Sequence, residues 1–92
     1  MLTKRIERYV RKDFDASEAD LVLDALAEWR ISYEPEPPGE RLIAAVVFMA
    51  DGRLEGVDEA FRLADQDWRD LLVAGELAHG DWPEQLDARL GP

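Results

Sequence analysis

Leu42-Ile43-Ala44-Ala45-Val46-Val47-Phe48-Met49-Ala50 is an unbroken run of nine apolar residues in a chain of 92, and its reading decides the fold. Periodicity alone does not assign it, because a buried strand and a helix buried on all sides both read as continuously apolar. The composition and the flanks decide. Three alanines, a leucine, a methionine and the Glu40-Arg41 lead-in favour helix over a strand built on Ile43, Val46, Val47 and Phe48 that turns at Asp51-Gly52. We read a helix closed by Gly52 in the left-handed conformation. A helix apolar on nearly every side belongs at the centre of a bundle, covered by the other helices.

Upstream, Tyr33-Glu34-Pro35-Glu36-Pro37-Pro38-Gly39 removes three backbone donors, so no helix crosses it and residues 31–39 form a loop. Pro35 and Pro38 have the spacing of a polyproline-groove ligand, a short pattern that many loops share. Before the loop, Leu21, Val22, Ala25, Leu26 and Trp29 recur at helical spacing behind Ser17, the expected N-cap, and Asp20, Asp24 and Glu28 form a stripe of like charge. Over residues 2–14, Leu2, Ile6, Tyr9, Val10 and Phe14 share one arc of a helix. Lys4, Arg5, Arg8, Arg11 and Lys12 occupy the opposite arc and are the nearest cations to that stripe.

Downstream, Gly56 opens a segment in which Val57, Ala60, Phe61 and Ala64 make a one-sided apolar stripe. Asp67-Trp68-Arg69-Asp70-Leu71-Leu72-Val73-Ala74 and Asp81-Trp82-Pro83-Glu84-Gln85-Leu86-Asp87-Ala88 then align position for position. In each copy the aspartate is a helix cap, with an acid three residues later to return a bond to it, and Pro83 suits an early helical position. Gly75 interrupts the first of these helices, His79-Gly80 ends it, and Leu90-Gly91-Pro92 stops the second. Short connections between amphipathic segments predict one domain over residues 1–92, a compact orthogonal all-α bundle of five to six short helices.

Eleven basic against twenty-one acidic residues leave a net charge of −10. Residues 1–12 hold five bases against one acid and carry +4; the rest holds six bases against twenty acids and carries −14. That remainder repels a polyanion, and no helix gathers residues for reading base edges, so nucleic acid is not an expected partner. A basic helix on an acidic body more often makes its contacts within the same molecule, yet its five cations are also candidate partner-facing residues. Trp68 and Trp82 join them: tryptophan dominates binding hot spots, although behind a capping aspartate its usual task is to pack the entering chain.

No cysteine and a single histidine exclude disulfides, thiol chemistry and any multi-histidine metal site. His79, oriented by Asp81 or Glu76, is the one conceivable general base, against the simpler reading of a helix-terminal histidine suited to the dipole. Asp13-x-Asp15-x-Ser17 starts like a calcium loop but has Glu18 at the position that needs glycine and Asp24 in place of the closing glutamate. Neither serine follows an aspartate, as the carrier serine of acyl carrier proteins does, and Gly52-Arg53-Leu54-Glu55-Gly56 lacks the Lys-Ser/Thr of a phosphate loop. No cofactor is expected. No apolar run approaches the length of a membrane span and no leader is read at Met1, so a cytoplasmic protein without a membrane partner is expected.

Asp67-Trp68-Arg69-Asp70-Leu71-Leu72-Val73-Ala74-Gly75, then Asp81-Trp82-Pro83-Glu84, with Arg41-Leu42-Ile43-Ala44-Ala45-Val46-Val47 upstream, resembles a group of small bacterial proteins, mostly actinobacterial. The likeness covers most of the chain. It implies an all-helical fold and assigns no catalytic residue, since the group has no established activity. This chain departs from the group's pattern at Gly75-Glu76, where a small residue followed by glycine is expected; a mid-helix Gly75 costs about 1 kcal/mol relative to alanine. The functional expectation is a non-enzymatic protein–protein interaction or adaptor module with an unknown partner or with itself. The alternatives are a small enzyme built on Asp, Glu and His79, and an acidic nucleic-acid mimic that occupies a basic protein.

Overall fold

The computed structural model describes residues 2–92, with Met1 outside them. Six helices follow in order: α1 (Lys4–Asp13), α2 (Ala16–Glu28), α3 (Glu40–Ala50), α4 (Leu54–Gln66), α5 (Trp68–Ala74) and α6 (Trp82–Leu90). No strand occurs among the described residues. The decisive run is helical, and α3 sits at the centre of an all-α bundle with α1, α4, α5 and α6 packed around it and α2 against α1 and α4. Ile43 to Phe48 and Ala50 are all buried, which a helix tolerates only when neighbours cover every side. The radius of gyration, 12.0 Å, matches the roughly 12 Å expected for a compact chain of this length.

Small residues bring the central crossings close. A Cβ on Gly56 would stand 2.6 Å from the Cα of Ala50, and one on Gly75 would stand 2.7 Å from that of Ala45. Both contacts are with backbone, so α4 and the end of α5 reach α3 only because these positions lack side chains. Gly56 accordingly lies inside the first turn of α4, which starts two residues before it, at Leu54.

Several local expectations are corrected. Asp15, not Ser17, occupies the N-cap of α2 and makes no side-chain cap bond, because Phe14 leaves α1 in extended conformation and buries its ring. The buried stripe of α2 is Ala19, Val22, Leu23 and Leu26; of the expected stripe Val22, Leu26 and Trp29 are buried, whereas Leu21 is 59% exposed. At the end of α3, Asp51 (φ 52°) is the left-handed cap and Gly52 (φ 77°) follows it. Helix α5 stops at Ala74, five residues before His79: the Leu77 amide donates to Leu72 O (2.8 Å) and that of Glu76 to Val73 O (3.1 Å). This is a Schellman closure with Glu76 (φ 63°) in the left-handed position and buried Leu77 as its hydrophobic contact. Of the two expected aspartate caps, Asp67 accepts from the Arg69 amide (3.0 Å), whereas the Asp81 carboxylate takes the Gln85 side chain instead (3.2 Å).

Candidate functional site

The seven residues singled out as candidate contacts divide by what their side chains touch. Arg5 stands between three elements: Nε donates to Glu40 Oε2 (2.9 Å), and NH1 to Asp87 Oδ1 (2.7 Å) and Gly91 O (3.3 Å). Thr3, which caps α1 through the Ile6 amide, also donates its hydroxyl to Glu40 Oε2 (2.6 Å). The Arg5 hydrogen bond holds the Glu40 carboxyl below its ordinary range against the opposing effect of burial, with Thr3 adding to the lowering. Arg8 donates to Pro92 O (2.8 Å) and Leu90 O (3.4 Å), and Arg11 pairs with Asp20 (3.0 Å). Lys4 and Lys12 lie exposed on the same helix.

The other arginines also bind the fold together. Arg41 donates to Leu77 O from Nε (3.0 Å) and NH2 (2.7 Å), and its guanidinium lies 4.7 Å from the centre of the Trp82 ring. Arg89 donates to Gly75 O (3.2 Å) and lies 3.6 Å over the Phe48 ring. These two fasten the connection between α5 and α6 onto α3, and they make half-buried Trp82 a packing element. Trp29 is buried and stacks on Phe61 at 4.9 Å. The cleft between α1 and α6, about 640 Å³, holds Arg8, Lys12 and Arg89 with Asp13 among them; Arg8 and Arg89 there already donate to backbone carbonyls. Tyr9 borders this cleft, edge-on to Phe48 at 5.2 Å, and burial pushes its hydroxyl above the ordinary tyrosine range.

Trp68 is placed differently. It lies half-buried at the start of α5, beside a groove of about 250 Å³ whose other walls are the proline segment and α3. The segment is held there by two residues. Tyr33 donates its hydroxyl to Ala64 O (2.8 Å) and accepts from the Trp68 amide (2.9 Å), satisfying an otherwise unpaired donor of the first turn of α5. Ser32 donates to Asp65 Oδ1 from its amide (3.2 Å) and its hydroxyl (2.8 Å). Pro37, Pro38 and Leu42 then supply the apolar lining, while Glu34 and Glu36 line the same groove and are exposed.

The sequence pattern does not disclose this groove. Its walls come from residues 31–39, 42 and 68, and proline content reads as a loop or a ligand, not as a wall. Adjacent tyrosine, glutamates and prolines opposite an unassigned tryptophan are the only signal that points to it.

His79, Glu76 and Asp81 do come together, in an open cleft of about 410 Å³ on the surface between α5 and α6. All three are exposed, and no hydrogen bond among the described residues orients the imidazole. Among the described residues no three His, Cys, Asp or Glu side chains gather where they could hold a metal ion, and no helix is long and apolar enough to cross a membrane. Comparison with protein-family models, with curated proteins and with solved structures finds no match.

Proposed function

We propose that this chain is a non-enzymatic protein–protein interaction module that recognises a basic partner. One observation carries the reading: eight of the nine arginines are engaged by partners within the molecule, whereas most carboxylates are not. Arg5, Arg11, Arg53 and Arg69 stand in ion pairs, and Arg8, Arg30, Arg41 and Arg89 donate to backbone carbonyls. Among the described residues only five carboxylates, those of Asp20, Glu40, Glu59, Asp67 and Asp87, lie in ion pairs, out of twenty-one in the chain. The outer surface is therefore dominated by carboxylate, which steers a cationic partner and repels nucleic acid and anionic lipid. This reading includes occupation of a basic protein in place of nucleic acid as its special case.

Self-association through the nine-residue apolar run finds little support, because seven of its residues are buried in the core, as is Trp29. We also propose kinship with the small bacterial proteins that the chain resembles, and with it a cytoplasmic setting. The backbone at position 76 supports this, since its left-handed conformation favours the glycine of their pattern.

The test is affinity capture by the tagged chain from its native host at low and moderate salt, with mass spectrometry of what co-purifies. A stoichiometric basic protein released as salt rises is the expected result. A stoichiometric acidic partner, or one indifferent to salt, overturns the reading.

A further inference from the structure

The groove beside Trp68 is too small for a helix face or for the about 300–1,000 Å³ of a typical small-molecule site, and at about 250 Å³ it has room for one extended side chain. Its lining has two chemistries. Trp68, Pro37, Pro38 and Leu42 are apolar, and Glu34 and Glu36 are carboxylates that form no ion pair or side-chain hydrogen bond among the described residues. Between Ile31 and Glu40 there is no cation to neutralise them. The walls are also set in advance: three prolines limit the segment's backbone freedom, and Tyr33 and Ser32 fasten it to α4 and α5.

We infer that this groove takes a lysine side chain of a partner protein, its aliphatic stem laid along Trp68 and the prolines and its ammonium group between Glu34 and Glu36. The inference rests on the reading of the chain as a module for basic partners and names where on the surface that recognition happens. An apolar residue would leave the two glutamates without a cation, and an acidic one would be repelled by them. Lysine satisfies both linings at once, because its stem buries against apolar surface while the charged head stays at the rim, and a cation near an indole is attracted by the ring face.

The test is a nuclear magnetic resonance titration of the 15N-labelled chain with acetylated, amidated tetralysine at low ionic strength. The indole N–H signals of Trp29, Trp68 and Trp82 serve as three internal reporters. Shifts concentrated on the Trp68 indole and on the amides of residues 34–39 are expected, with little change at Trp29 or Trp82. The same peptide acetylated on its side chains, which keeps the stems and removes the charge, is expected to lose these shifts. The double variant E34Q/E36Q, altered only at exposed loop positions, is expected to bind about fivefold more weakly with an unchanged melting temperature. Replacing Trp68 by Phe should weaken binding with both glutamates in place.

Shifts spread over the acidic surface and unaffected by E34Q/E36Q overturn the groove while leaving the acidic module standing. No shift anywhere overturns both. Concentration-dependent shifts at the groove without peptide would show a second copy of the chain as the occupant, and would overturn the assignment to a separate basic partner.

Discussion

Gly75 meets Ala45 backbone to backbone: a Cβ at position 75 would stand 2.7 Å from the Cα of Ala45 and 2.9 Å from its carbonyl oxygen. This reverses the sign that helix propensity assigns to the position. In mid-helix, alanine in place of glycine would add about 1 kcal/mol of stability. At the end of α5, pressed on α3, the added methyl must displace the central helix. Gly75→Ala is therefore expected to destabilise the fold by about 1–3 kcal/mol in urea denaturation, as overpacking does. Gly80→Ala, which meets no atom within 4 Å, serves as the control and should change stability little.

The next residue offers the opposite opportunity. Glu76 holds a left-handed backbone (φ 63°) that L side chains resist, at the position of a Schellman closure that glycine usually fills. Glu76→Gly is expected to stabilise by about 0.5–1 kcal/mol. Part of that gain comes from removing a negative charge near a helix C-terminus, so Glu76→Gln measures the charge contribution alone. A gain for glycine no larger than that for glutamine would refute the backbone account.

Helix α2 carries the test of its corrected face. Leu23 is buried and Leu21 is 59% exposed, two positions apart on one helix. Leu23→Ala is expected to cost about 2–4 kcal/mol, and Leu21→Ala to stay within about 0.5 kcal/mol of the parent, read by thermal or chemical denaturation. Equal losses would restore the stripe that includes Leu21.

These three cases mark where the sequence is readable and where it is not. The helix over residues 42–50 can be read because composition and flanks act locally, and the proline segment because missing amides forbid a helix in any context. The face of α2 is ambiguous because Ala19-Val22-Leu23-Leu26 and Leu21-Val22-Ala25-Leu26-Trp29 are both regular, and only the neighbouring helices choose between them. The end of α5 misleads because Gly75 is there for its approach to Ala45, while the left-handed residue that stops the helix is a glutamate. The basic arc of α1 is visible as a pattern, but its destinations on Glu40, Asp87 and the carbonyls after α6 belong to the tertiary fold alone. The same is true of the groove, whose walls are distant in sequence.

Arg5 links α1 to α3 through Glu40 and to α6 through Asp87, and the two partners differ in exposure. The Arg5 and Glu40 side chains are about one-fifth exposed, whereas Asp87 is nearly three-quarters exposed. Water screens the second pair far more than the first. In double-mutant cycles to alanine the Arg5–Glu40 coupling is therefore expected near 1 kcal/mol, after allowance for that partial exposure, and the Arg5–Asp87 coupling below about 0.5 kcal/mol. A pH series tests the same contact independently. The Glu40 carboxyl is held below its ordinary value by Arg5 and Thr3, so the folded state binds its proton less readily than the unfolded chain does. Its contribution is fully present above the unfolded value, about 4.3, and disappears as pH falls through the lower folded value. Melting temperatures of the parent should fall more steeply than those of Glu40→Gln from about pH 5 to 3, while the gap between them narrows. Parallel curves would mean that Arg5 does not stabilise the ionised carboxylate. In that event α1 is held to the bundle by buried Ile6 and Val10, by Tyr9 against Phe48, and by the bonds of Arg8 and Arg11 to the end of α6 and to α2.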